Sequence, residues 1–474
     1  MKTRILIGTF AAAGLALGVG QMTAIAVPGD GGTSDSQAPG TDVIVGAING
    51  VSNYGTNTVG GVALYGYAFG TTSCNIGTAV LRWSQASSFH PVIPQNCYRI
   101  KNGRIEQIGM SWMKYGFCAL QESLCMTCQS GGVGCGSSQS TLGIGCSDPY
   151  GSSLNGTQSG LGPRSHVNAS TGYFPGDTST EIGTWPAMPN GQSLIARRIQ
   201  IKADDLNPTL NVGAVYLAEA QYVHPDDAAA NNDNNNASYI KVTVAASGYA
   251  MALSGSTFQQ KPAIYHWAQV VPTVAYSVVD APDGRFIVGY NTSVNPNGTT
   301  HYEYAIYNFN SDASGSSFSV PIANGVTVTN ATFKDISYHS NEVYDGTDWT
   351  ITNSAGVLKW QCTQTFAQNV NANALRFGTL YNFAFDANTV GVAGSTSLGL
   401  FKTAGSIAVP GLVPAAFCRI GDLDCNGVVD GADLGTMLSA WGPCPGGTPG
   451  CAGDLDRDTA VSGSDLGTLL ANWG

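Results

Sequence analysis

Apolar positions along most of this chain recur at a spacing of two. YLAEAQYV (216–223) and SYIKVTV (238–244) alternate apolar and polar residues as half-buried strands do. Farther on, FIVGY, YEYAIYNF, SFSVPI, VTVTNATF, DWTITN, VLKWQC, LYNFAF and SLGLF follow one another between Asn, Asp, Gly and Ser turns. That rhythm predicts a sandwich of two antiparallel sheets over 273–404. The stretch 42–272 reads as a less regular β-rich part with a dense cysteine section. A helical spacing surfaces only at the end. Leu434, Met437, Leu438 and Trp441 fall at i, i+3, i+4 and i+7, and Leu466, Leu469, Leu470 and Trp473 repeat it. Each set predicts a short amphipathic helix, with Gly442 and Gly474 where a stop belongs. The expected class is therefore mainly β: a Cys-rich β domain plus an antiparallel β-sandwich, then a small α-helical module.

Punctuation divides these parts. Lys2 and Arg4 precede the apolar run ILIGTFAAAGLALGVG, and Ala24-Ile25-Ala26 supplies a small-x-small cleavage pattern, so residues 1–26 read as a signal peptide. The run covers residues 5 to 20, short of the roughly 20 apolar residues a spanning helix needs. Residues 27–41 form a Gly/Pro/Ser-rich linker. AVPGLVPAA, within 405–417, reads as a second linker before the terminal module at 418–474.

Export changes what the cysteines mean. Eight of the twelve lie in the body and four after 417, even numbers in both parts, as disulfides in an oxidising compartment require. Zinc held by Cys125, Cys128, Cys135 and Cys146 is the competing reading. Charge is uneven as well. Only 11% of residues are charged, the chain carries −11, and the segment from Cys418 holds eight Asp, two Arg and no Glu. No basic stripe suits a nucleic-acid partner.

The acidic tail says nearly the same thing twice: GDLDCNGVVDGADLGTMLSAWG and GDLDRDTAVSGSDLGTLLANWG. Asp422, Asp424, Asn426, Val428, Asp430 and Asp433 occupy positions 1, 3, 5, 7, 9 and 12 of a twelve-residue loop, and Asp454, Asp456, Asp458, Ala460, Ser462 and Asp465 fill the same slots. An EF-hand loop draws its calcium oxygens from those positions, the seventh through its backbone carbonyl. Two Ca2+ sites are expected, the second weaker. Its sixth position is the β-branched Thr459, where the first loop has Gly427 and the turn needs positive φ.

Two loops, each followed by a helix and lacking a full helix before it, resemble a type I dockerin over about Cys418 to Gly474. The longer segment between the repeats, GPCPGGTPGCA, is similar to that of dockerin-like tails on exported proteins of planctomycete-type bacteria. The resemblance implies a cohesin-like protein partner chosen in part by loop positions 10 and 11, here Gly431-Ala432 and Gly463-Ser464. These depart from the familiar Ser-Thr type. A calcium-stapled terminus with a purely structural role is the alternative.

The body carries no comparable signature. HPVIPQNCYRI, IEQIGMSWMKYGF and GIGCSDPYGSSLNG resemble exported bacterial proteins of uncharacterised activity. No GxSxG elbow and no HExxH pair occurs. A glycosidase generally needs two carboxylates, and Glu219 and Glu303, both among aromatics on expected strands, are the weak catalytic candidates. On exposed strand faces they would be ordinary solvated residues. HPDD at 224–227 followed by NNDNNN offers oxygens to a cation, with an Asn/Asp-rich loop as the simpler reading. The functional expectation is a secreted, noncatalytic extracellular or surface protein of bacterial origin. It binds carbohydrate through exposed aromatics and is docked by its calcium tail. A polysaccharide hydrolase and a structural envelope protein are the alternatives.

Overall fold

The period-two segments pair into antiparallel sheets throughout. The computed structural model describes residues 37–137, 139–337, 340–416 and 418–474; the expected signal peptide and residues 27–36 of the expected linker lie outside them. Beside two small sheets, Leu161–Gly162 with Met113–Tyr115 and Val92–Ile93, and Leu81–Arg82 with Thr141–Leu142, four large ones make up most of the body. The first joins Val43–Val59 to Val62–Asn75, which also pairs with Ile199–Lys202 and Ser147–Tyr150. The second runs Met251–Phe258, Ala237–Val244, Val215–Gln221, Gln95–Lys101, Arg104–Met110. The third runs Ala275–Ala281, Gly284–Val294, Thr300–Asn308, Leu380–Ala387, Val328–Lys334, and the fourth Thr350–Ser354, Val357–Gln361, Gly315–Pro321, Gly391–Leu400, Ser406–Pro414.

Three buried layers show how the sheets stack. Val43, Val45, Tyr67 and Phe69 of the first sheet pack on Cys97, Ala218, Ala220, Ile240 and Val242 of the second. The opposite face of the second sheet, with Tyr98, Ile100, Leu217 and Tyr239, meets Ile287, Ala305, Tyr307 and Leu380 of the third, with Ile264 and Trp267 between them. The far face of the third, Tyr302, Tyr304, Phe383 and Phe385, then packs on Phe318, Leu358, Trp360 and Leu398 of the fourth. The two inner sheets are thus covered on both faces, and Leu380–Ala387 is buried at every residue. The two β parts share a core rather than standing apart.

Two readings need correction. Residues 406–414, expected within a linker, form the edge strand of the fourth sheet, paired from Gly391↔Pro414 to Gly399↔Ser406. An edge strand tolerates proline because one side of its backbone has no ladder partner. Nor do all cysteines pair. The disulfides are Cys74–Cys125, Cys118–Cys135, Cys128–Cys146, Cys418–Cys425 and Cys444–Cys451, while Cys97 and Cys362 are buried thiols. All four cysteines weighed for zinc are spent in disulfides. Among the described residues no helix is long and apolar enough to cross a membrane.

Candidate metal centre

Each tail repeat folds as one loop and one nine-residue helix, Gly431–Ser439 and Gly463–Ala471. Both helices open on a capping box. Asp430 and Ser462 stand at the N-cap, and Asp433 and Asp465 reach back from the third helical position. Position 9 of each loop is therefore the helix cap, and position 12 belongs to loop and helix at once.

The acidic side chains converge on backbone and on one another. Asp433 Oδ1 accepts from the N–H of Leu423 (2.7 Å) and Asp424 (3.1 Å), and Oδ2 from Asp430 (2.9 Å). Asp465 repeats this with Leu455 (2.7 Å), Asp456 (3.2 Å) and Ser462 (2.8 Å). Burial pushes both carboxyls up, but these N–H donors outweigh it and hold them below the ordinary range. Asp422 accepts from Asn426 and Gly427, and Asp454 from Asp458 and Thr459. Carboxylate oxygens of Asp422, Asp424 and Asp433 lie within 4.8 Å of one another, as do those of Asp454, Asp456 and Asp465. Those are positions 1, 3 and 12 of each loop. Asn426 and Asp458 cap the N–H of Val428 and Ala460 through Oδ1. A hard divalent cation is the species that an all-oxygen set of this kind accepts.

Backbone dihedrals match residue for residue. Gly421 and Gly453 have φ of 95° and 94°, Cys425 and Arg457 58° and 63°, Gly427 and Thr459 91° and 81°. Thr459 thus adopts the left-handed turn that glycine takes freely, at a cost of about 1–2 kcal/mol for an L-residue. Thr459→Gly is expected to tighten the second site by about tenfold, read by calorimetric titration with calcium. An unchanged affinity would show that the turn costs nothing.

The halves also interlock. Val429, Met437, Val461 and Leu469 form the module's core, two residues from each repeat. Gly442 and Pro443 pair with Val461 and Ala460, while Gly474 N–H donates to Val429 O at 3.0 Å, so each repeat's end is tied to the other's loop. Gly421 faces the backbone of Leu469, and a Cβ there would stand 3.2 Å from its Cα. The helical stripes are wider than this core. Leu438, Trp441, Leu470 and Trp473 are about half exposed. Gly431, Ala432, Gly463 and Ser464 are exposed at the helix starts. The segment between the repeats also reaches a ligand, since Gly450 N–H donates to Asp454 Oδ2 at 2.8 Å. No motif signals that contact, because Gly450 lies outside the twelve-residue loop.

The two body glutamates are not on exposed faces. Glu219 is 1% exposed, between the second and third sheets. Its Oε1 accepts from Asn96 (2.9 Å), Tyr98 (2.8 Å) and Tyr307 (3.0 Å), its Oε2 from the Ala263 N–H (2.6 Å). Asn96 in turn takes a bond from the buried Arg164. Burial raises the Glu219 pKa against these donors. Such a group holds two sheets together and is shielded from solvent.

Glu303 sits at the rim of the same interface. A cleft of about 310 Å³ opens there, lined by Arg99, Lys101, Arg104, Glu106, His301 and Glu303. Arg104 bridges Glu303 (2.7 Å) and Glu106 (3.5 Å). His301 Nδ1 lies 2.7 Å from Asp386 and Nε2 3.5 Å from Glu303. The bond to Glu303 chiefly, with that to Asp386, raises the His301 pKa above 6.5 although burial opposes it. The stabilisation from charged His301 is complete below pH 6.5 and is lost as pH rises through the raised value. Urea midpoints should therefore drop on that rise, and His301→Gln should flatten the drop.

Comparison with known proteins assigns no family. No protein-family model matches the chain, and no curated protein does. Among solved structures, the exo-beta-D-glucosaminidase CsxA, recorded in a study of its inhibition by a glucosamine-configured castanospermine and an amino-australine analogue, aligns at 11% identity. The alignment covers 73% of this chain and 25% of that chain, with a TM-score of 0.15. That likeness carries no argument about fold or activity.

Proposed function

We propose that this is an exported, noncatalytic extracellular or cell-surface protein of bacterial type. Its duplicated loops bind two calcium ions, and its body, on the same reading, engages polysaccharide. The observation that carries the reading is the pair of carboxylate triads, Asp422/Asp424/Asp433 and Asp454/Asp456/Asp465, each built into the start of a helix. Calcium orders the module, and the ordered module docks to a protein of cohesin type. The half-exposed Leu438, Trp441, Leu470 and Trp473 support that last step, because paired apolar side chains on two short helices suit a protein interface. Disulfides inside both body and tail favour an oxidising compartment.

A hydrolytic body is the second reading, favoured by the cleft that holds both Glu106 and Glu303. Against it, the one guanidinium of Arg104 already bonds both carboxylates, so the pair that would have to flank a glycosidic bond is engaged with the same partner. The full chain, incubated with insoluble cellulose, chitin and xylan in calcium, should be retained on one of them without releasing reducing sugar. Sugar release that disappears in Glu303→Gln would establish the hydrolase instead. Failure to bind any calcium in a calorimetric titration would overturn the docking module.

A further inference from the structure

A second group of buried oxygens lies far from the tail, where the chain enters the body. The residues Thr41, Asp42 and Val43 run against the helix Pro225–Ala229 and the loop that follows it. Val43 N–H donates to Asp227 Oδ1 (2.9 Å), Asn236 Nδ2 to Asp227 Oδ2 (2.7 Å), and Asn235 Nδ2 to Asp42 Oδ1 (3.1 Å). Asn232 Nδ2 closes the ring on Thr41 O at 2.7 Å. Asp42 and Asp227 are 2% and 0% exposed.

Two features of this group call for a ligand. The first is charge. Every carboxylate oxygen of Asp42 and Asp227 accepts an N–H, and no ion pair reaches either among the described residues. Each keeps unused lone pairs, since a carboxylate offers about four acceptor sites. The second feature is independent of charge. Thr41 Oγ1, Asn235 Oδ1 and Asn236 Oδ1 are buried without a hydrogen-bond partner among the described residues, and Asn236 is 1% exposed. Its unpartnered Oδ1 belongs to the amide whose nitrogen grips Asp227. Buried acceptors left empty are costly, about 1–3 kcal/mol each.

We propose that Asp42, Asp227, Asn235 and Asn236, with Thr41, form a third calcium site that pins the start of the body to the loop after the Pro225–Ala229 helix. All candidate ligands are oxygens and two are carboxylates, the donor set of a hard cation such as calcium and not of zinc or copper. Bound there, the ion meets the empty acceptors and supplies the missing countercharge. The site goes beyond the proposed docking function, because no tail residue takes part.

The test uses the full chain with both tail loops disabled, Asp433→Ala together with Asp465→Ala, titrated with calcium up to about 1 mM. Native mass spectrometry should count one ion on this chain and three on the unaltered chain. Adding Asp42→Asn should abolish that remaining ion and remove the calcium-induced rise in the melting temperature of the body. Because Asp42→Asn keeps the side-chain shape and one acceptor oxygen for Asn235 Nδ2, far-UV circular dichroism in chelator should match the parent. A count of two on the unaltered chain and none on the tail-disabled chain overturns the inference and leaves the tail reading intact. Equal counts of one on both chains uphold this site and reject the tail loops. Retention of the ion after Asp42→Asn overturns the ligand assignment.

Discussion

Asp433→Ala is expected to abolish calcium binding at the first tail loop and to melt the helix behind it. The aspartate is fully buried and does three jobs at once. It completes the carboxylate triad, accepts three backbone N–H bonds and closes the capping box of Gly431–Ser439. Alanine leaves those donors empty, at about 1–3 kcal/mol for each that stays buried. It also removes the ligand that normally binds calcium through both oxygens. A module whose fully buried core is four side chains has little stability to lose. Affinity at this site should fall by at least about a hundredfold, and limited proteolysis should cut the tail even in calcium. Since each repeat's end is tied to the other's loop, the second site should weaken too. Cleavage resistance equal to that of the unaltered chain would count against the interlocked module.

Glu219→Ala is expected to cost the body at least about 3 kcal/mol, since each donor left buried without an acceptor costs about 1–3 kcal/mol. Tyr98, Tyr307, Asn96 and the Ala263 N–H would all lose their acceptor between two sheets. Glu219→Gln should cost less. It keeps one carbonyl oxygen for the tyrosines but turns an NH2 group toward the Ala263 N–H. Urea denaturation of the three proteins gives the order. Were Glu219 a catalytic acid instead, the alanine variant would keep its stability and lose only activity.

These outcomes follow from how far apart in the chain the partners lie. The two carboxylate triads of the tail were legible because one twelve-residue loop contains each of them. Even the weak point at Thr459 could be named, and its φ of 81° is what the loop turn requires. The exposure of Glu219 was not legible. Alternation in YLAEAQYV separates two faces of a strand, but it does not say that another sheet covers each of them. Its partners come from residues 96, 98, 263 and 307, distant in sequence. The same limit hid Asp42: the oxygens of 224–236 could be offered to a cation, with a polar loop as the simpler reading, but nothing signalled that Asp42 is brought against them. Composition misled at 406–414, where Pro and Gly suggested a linker and edge pairing made a strand. The helical stripes showed which residues share a face. They did not show that the partner repeat was too small to cover Leu438 and Trp441.

The edge strand ending at Pro414 has a mechanical meaning. Only three residues separate it from Cys418, which is bonded to Cys425 inside the first loop. Three residues span at most about 11 Å, and Asn324 of the body donates to Asn426 O of that loop at 2.9 Å. The tail is therefore mounted like a bracket, without slack. Whatever grips it also sets the orientation of the four sheets, and a pull on the tail is felt first by the outermost strand.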